Sequence, residues 1–120
     1  MKIAFPTQKD EGIDSNIFSH FGSAPFFVLV DTEADTVKTI ENPERVHLHG
    51  QCQPVKALNG NPVDAVVAGG IGGGALRKLN AADIRVFRSV EGSVRENLEL
   101  MKAEKLEEYS PFHTCGEHGH

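Results

Sequence analysis

The sequence predicts an α/β fold in which helices cover both faces of a mixed β-sheet. Two apolar runs, residues 24–31 (APFFVLVD) and 65–68 (AVVA), are continuous enough to be strands buried on both faces. The second run leads through a glycine-rich stretch into the helix-like segment ALRKLN, which is the pattern of a βα unit. Strands joined by short turns in the first half and βα units in the second half together indicate a mixed sheet.

The first three predicted strands form the antiparallel part of the sheet. Strand one is residues 2–7 (KIAFPT), strand two is residues 24–31, and strand three is residues 36–40 (TVKTI). Polar and apolar residues alternate in strand three, as they do in an edge strand. The turn at residues 31–35 is short, so strands two and three are expected to form an antiparallel hairpin.

Helices and strands alternate in the second half of the chain. A short helix is expected to begin at Pro54, because proline suits the first helical position. The fourth strand follows, and then a helix that Leu76 and Leu79 anchor against the sheet. The fifth strand is residues 84–90 (IRVFRSV). Right-handed crossovers would place the first and fourth strands side by side.

The last predicted helix begins at Ser93, which fits a capping box with Glu96. This helix is expected to end near Tyr109. Residues 1–109 are therefore predicted to form a single domain, in keeping with the length of the chain. Residues 110–120 are predicted to be a flexible tail that contains histidines and a cysteine.

The composition limits the classes of function that the chain can have. Its formal net charge is −5, and it lacks the basic face that nucleic acid binding needs. The apolar stretch at the N-terminus is too short for a signal peptide, and no segment approaches the roughly 20 apolar residues of a membrane span. A cytoplasmic location follows, in which Cys52 and Cys115 are expected to be thiols rather than a disulfide.

A glycine-rich stretch, residues 69–74 (GGIGGG), directly follows the fourth predicted strand and contains five glycines. Glycine allows a sharp turn, a positive φ and a close approach of the backbone to a ligand. The helix that follows directs its free N–H groups and the positive end of its dipole toward the same place. This arrangement favours an anion-binding site, and the alternative is a tight βα turn without a ligand.

Histidine and cysteine are concentrated in loops that are expected near the same edge of the sheet. Ligands in such sheets bind beyond the carboxyl ends of the parallel strands, where the loop of residues 8–22, the segment before Pro54 and the glycine stretch converge. Imidazole and thiolate suit zinc, copper and iron–sulfur species, although the paired cysteines of a closed zinc site are absent. Plain surface histidines are the alternative. The candidate metal ligands are His20, His47, His49, Cys52, His113, Cys115 and His118.

The motifs of common enzymes are missing from the sequence. The glycine stretch lacks the Lys-Ser/Thr that ends a P-loop, and its spacing does not match a dinucleotide fingerprint. Neither a nucleophile–base–acid triad nor a general acid–base pair can be identified. We therefore expect a protein that is not an enzyme.

Four segments, KIAFPT, HFGSAPFFVLVD, HLHGQC and DAVVAGGIGGGALRKL, together resemble the nitrogenase iron–molybdenum cofactor biosynthesis family. This family includes NifX-like carriers, the C-terminal domain of NifB and the orange protein, and the resemblance covers residues 1–106. It implies a ribonuclease H-like three-layer fold with a five-stranded sheet in the order 3-2-1-4-5, in which strand 2 is antiparallel. It also implies a non-catalytic carrier or scaffold for an iron–sulfur or molybdenum-containing cluster, with a cluster-donor or acceptor protein as partner.

The resemblance also indicates which residues would hold such a cluster. The tail lies outside the matching segments, so a metal-ion chaperone or sensor that uses the tail is an alternative function. A protein-interaction module without cargo is another. The candidate cofactor-binding residues carried over by motif are His20, Phe21, Gly22, His49, Cys52, Gly69, Gly70, Gly72, Gly73 and Gly74.

Overall fold

A mixed β-sheet is the centre of the fold. The computed structural model describes residues 1–21, 23–42 and 63–109. Within them the sheet has six strands in the order β3-β2-β1-β4-β5-β6. The strands are β1 (Lys2–Thr7), β2 (Phe26–Asp31), β3 (Thr36–Glu41), β4 (Ala65–Ala68), β5 (Arg85–Arg88) and β6 (Glu108–Tyr109).

The strand directions divide the sheet into two kinds of pairing. Strands β1, β4 and β5 are parallel to one another, whereas β2 and β3 form an antiparallel hairpin that is joined to β1. The predicted neighbours, strands one and four, are therefore adjacent, and strand two is antiparallel as expected. The prediction of five strands is wrong, because β6 adds an antiparallel strand beyond β5.

One face of the sheet is covered by α1 (Gly73–Ala81). Side chains alternate between the two faces along a strand, so Ala4 and Val66 face this helix. They belong to the same buried cluster as Leu76 and Leu79, which are both 0% exposed. The two leucines therefore anchor the helix as the sequence predicts.

The opposite face is covered by α2 (Val94–Lys102). Phe5 and Val67 belong to a second buried cluster with Val94 and Met101 of this helix. Helices therefore lie on both faces of the sheet, and the described residues form three layers. Within those ranges, neither helix is long and apolar enough to cross a membrane.

The last helix is shorter than the sequence predicts. It begins at the expected capping box, but it ends at Lys102 instead of near Tyr109. Glu104 has a φ of 57°, and the amides of Glu104 and Lys105 donate to the carbonyls of Met101 and Leu100, respectively. This is the Schellman pattern that closes a helix, with glutamate at the position that glycine usually occupies.

The chain then returns along β5 as the short strand β6. Arg85 and Glu108 form two hydrogen bonds across this pair, at 3.0 and 2.8 Å. The hydrogen bond from Arg85 lowers the pKa of the Glu108 carboxyl below its ordinary value. The helix that was predicted to begin at Pro54 lies outside the described residues.

Candidate functional site

The loop after β1 crosses the carboxyl edge of the parallel strands. The amide of Phe18 donates to the Pro6 carbonyl at the end of β1, at 2.8 Å. The amide of Ile17 donates to the carbonyl of Gly92, at 2.9 Å, which ties the loop to the segment that precedes α2. These two hydrogen bonds hold the loop against the end of β1 and against the segment that follows β5.

The loop also joins the glycine stretch, through an isolated parallel bridge between His20 and Gly70. The amide of Phe21 donates to the Gly70 carbonyl at 3.2 Å, and its ring is buried against Phe27 with centroids 5.1 Å apart. Burial of Phe21 fixes the backbone on one side of His20, whose own side chain is exposed. The fold therefore places an exposed imidazole beside the glycine stretch.

The carbonyl groups at the start of the glycine stretch are occupied by donors from the protein. The bonds are Ser89 N–H to Ala68 O (3.0 Å), Tyr109 Oη–H to Gly69 O (3.0 Å), Phe21 N–H to Gly70 O (3.2 Å) and Leu76 N–H to Gly72 O (2.9 Å). Each of these four carbonyl oxygens, which could otherwise bind a cation, already accepts a hydrogen bond from the protein.

The amide groups at the start of α1 are in the opposite situation. Helix α1 begins after Gly72, which has no side chain to cap it, and its first turn contains no acidic residue. The amides of Gly73, Gly74 and Ala75 have no hydrogen-bond acceptor among the residues that the structure describes. By contrast, in the first turn of α2 the Ser93 side chain accepts a hydrogen bond from the Glu96 amide, as part of a capping box. The start of α1 therefore presents a surplus of donors.

Arg77 adds a positive charge close to these donors. Its Nη1 atom is 3.4 Å from the position that a Cβ atom on Gly73 would occupy. Residues four apart share a helix face, so Arg77 reaches back over the first turn of α1. The sequence reasoning missed Arg77, although its spacing from Gly73 was a signal that could have identified it.

The glycines of the stretch differ in what surrounds them. A Cβ on Gly70 would lie 3.0 Å from the Ser19 carbonyl oxygen, whereas a Cβ on Gly72 or Gly74 would have no atom of the described residues within 4 Å. The positive φ that glycine would allow does not occur in this stretch, because among the described glycines only Gly12 and Gly92 have one. Gly70 allows close packing of two backbones, whereas none of the described residues packs against Gly72 or Gly74 at the Cβ position.

The predicted metal ligands are described only in part. Within residues 1–21, 23–42 and 63–109, no group of three histidine, cysteine or acidic residues is close enough to hold a metal ion. His20 is the candidate ligand that these ranges contain. The other candidate metal ligands lie outside them, namely His47, His49, Cys52, His113, Cys115 and His118, and so does the candidate cofactor-binding residue Gly22.

Comparison with known proteins gives the family. The sequence profile of the dinitrogenase iron-molybdenum cofactor family matches residues 1–104, and the chain belongs to this family. The resemblance found in the sequence motifs is therefore confirmed. No curated protein sequence matches the chain at a significant level.

Solved structures show the same fold. A Thermotoga protein provisionally described as NifB has 27% identity and a TM-score of 0.77, over 89% of this chain and 91% of that one. The apo orange protein of Desulfovibrio gigas has 23% identity and a TM-score of 0.81, over 91% and 92%. A Methanocaldococcus jannaschii protein provisionally described as a dinitrogenase has 21% identity and a TM-score of 0.68, over 92% and 95%.

Proposed function

We propose that this chain is a non-catalytic carrier or scaffold for an anionic iron–sulfur or molybdenum-containing cluster, or for a precursor of one. Membership of the dinitrogenase iron-molybdenum cofactor family supports a role connected with that cofactor. The observation that carries the proposal is local: the exposed His20 is bridged to Gly70, and the helix that begins three residues later starts with amides that have no acceptor among the described residues. A cluster-donor or acceptor protein is the expected partner.

The polarity of this edge favours an anion over a hard cation. The carbonyls of Gly69 and Gly70 accept from protein donors, whereas the amides of the first turn of α1 find no acceptor in the part of the chain that the structure describes. A helix N-terminus carries about half a positive charge, and the guanidinium of Arg77 lies over the same turn. The net charge of −5 does not oppose binding, because charges farther than about 10 Å are screened at 0.1 M salt.

His20 would supply a metal-binding nitrogen atom, which backbone amides cannot provide. Imidazole nitrogen binds iron, copper and zinc, and the backbone of His20 is bridged to Gly70. The backbone amides would then hold the outer sulfur or oxygen atoms of the cluster through charge-assisted hydrogen bonds. His49 and Cys52 are proposed as further ligands from the resemblance in sequence.

Anaerobic reconstitution tests this proposal. Protein incubated with iron, sulfide and molybdate should become coloured and keep its metal through gel filtration. His20→Ala should lose most of the retained metal, because it removes the proposed ligand without removing a buried contact. His113→Ala is the matched control, since it removes an imidazole from the tail. A folded but colourless wild-type protein would contradict the proposal.

A truncated chain separates the carrier from a metal chaperone that uses the tail. Removing residues 111–120 deletes several histidines and Cys115 but leaves every residue of the described edge. We expect cluster retention to survive this deletion. Loss of all metal from the truncated chain, together with normal retention by His20→Ala, would favour the chaperone.

A further inference from the structure

We infer that Tyr109 is a positioning residue for the candidate site, an inference that rests on the proposed function. Its hydroxyl group donates to the Gly69 carbonyl at 3.0 Å, over a separation of 40 residues. The sequence indicates Tyr109 only as the place near which the last helix ends. Its place in β6 instead connects the last strand of the sheet to the glycine stretch.

The Tyr109 ring has a fixed base from which to reach Gly69. Tyr109 pairs with Val86 of β5, and its partly buried ring packs against the core cluster on the α1 face of the sheet. A side chain held at its base and bonded at its tip has little rotational freedom. The hydroxyl therefore acts as a clamp on one carbonyl group.

The position of Gly69 explains why a clamp is needed. A Cβ atom on Gly69 would lie 3.2 Å from Ser89 Oγ and 3.4 Å from the Ser19 carbonyl oxygen, so a side chain there would be tightly surrounded. Glycine also restricts its own backbone less than any other residue. The peptide that joins Gly69 to Gly70 thus lies between two residues that do little to fix its plane.

The clamp acts on His20 through this peptide. Tyr109 fixes the carbonyl oxygen of the Gly69–Gly70 peptide, and the next carbonyl along the chain, that of Gly70, accepts from the amide of Phe21. Phe21 directly follows His20, which is bridged to Gly70. Without the clamp, rotation of the Gly69–Gly70 peptide would loosen the Phe21 bond and move the imidazole relative to the start of α1.

Amide hydrogen exchange in Tyr109→Phe tests this chain of contacts without any cargo. We expect the Phe21 amide to exchange about three- to tenfold faster, as for the loss of one hydrogen bond of ordinary strength. The Ser89 amide, which donates to Ala68 before the glycines, should be unchanged. An unchanged Phe21 exchange rate would overturn the inference.

A control in the same strand separates the hydroxyl from the docking of β6. Glu108 directly precedes Tyr109 in β6. Glu108→Gln weakens the ion pair between Glu108 and Arg85 and leaves the Tyr109 hydroxyl in place. It should not change exchange at Phe21. Equal acceleration in Glu108→Gln and Tyr109→Phe would show that β6 as a whole supports the loop, and would overturn a specific role for the hydroxyl.

Binding of tetrathiomolybdate, a molybdenum–sulfur dianion, then measures the consequence for cargo. Affinity should fall about three- to tenfold in Tyr109→Phe, with Glu108→Gln unchanged. The chain has one tyrosine and no tryptophan, so Tyr109→Phe has no intrinsic emission to follow, and the affinities of all three proteins are measured by titration calorimetry. Unchanged affinity in Tyr109→Phe would overturn its positioning role. Absence of binding to the wild type would instead contradict the proposed function, while Phe21 exchange still tests the clamp.

Discussion

Replacing Gly74 by alanine should stabilise the protein and weaken cargo binding at the same time. Gly74 lies in the first turn of α1, and a Cβ atom there would meet no atom of the described residues within 4 Å. Its φ is not in the left-handed region, so alanine can adopt the same backbone conformation. Only a bound cargo that touches the Gly74 amide would be displaced by the added methyl group.

The gain in folding stability and the loss of cargo affinity can be estimated separately. Alanine is favoured over glycine inside a helix by up to about 1 kcal/mol. For a chain of this size, that gain corresponds to a rise in melting temperature of roughly 3–5 °C. Losing one hydrogen bond to a charged group costs about 1.5–3 kcal/mol, which is a loss of affinity of roughly tenfold or more.

Thermal unfolding and a titration with tetrathiomolybdate measure these quantities. Gly70→Ala is the matched control, because its Cβ would press on the Ser19 carbonyl oxygen at 3.0 Å. That substitution should destabilise the fold by about 1–2 kcal/mol. Affinity of Gly74→Ala within twofold of the wild type would refute contact between the cargo and the start of α1.

Three further substitutions test the scaffold that supports the site. Ser93→Ala removes the capping box of α2 and should cost about 1 kcal/mol in urea unfolding. Asn97 is fully buried and bonds to the N–H and C=O of Val90, so Asn97→Ala should cost about 2–3 kcal/mol by the same measurement. Because Arg85 lowers the pKa of Glu108 from 4.5, their pair stabilises the fold at neutral pH and loses this effect as the pH falls through the lower folded-state value. The stability difference between wild type and Glu108→Gln should be at most about 1 kcal/mol at pH 7 and should vanish in acid, and a difference that persists in acid would contradict this origin.

The sequence was sufficient to predict the central sheet and both described helices. Continuous apolar runs identified β2 and β4, and the spacing of Leu76 and Leu79 identified the buried side of α1. The end of α2 was missed because Glu104, and not glycine, has the left-handed conformation that closes the helix. Strand β6 has two residues, which is too short for a hydrophobic period to reveal.

The site was predictable to the extent that topology determines it. Carboxyl ends of parallel strands meet at one edge, and this rule placed the His20 loop beside the glycine stretch. It could not show that Gly70 packs against a backbone while Gly74 is open, because that difference depends on contacts between distant segments. Tyr109 was missed for the same reason, since its partner Gly69 is 40 residues away.

Nuclear magnetic resonance of nitrogen-15-labelled protein, titrated without oxygen with tetrathiomolybdate, tests the central claim most directly. We expect the largest chemical-shift changes at the amides of Gly73, Gly74 and Ala75 and at the His20 imidazole. Shift changes confined to residues 110–120, or located at the opposite end of the sheet around Met1 and Arg85, where β1 and β5 begin, would contradict it.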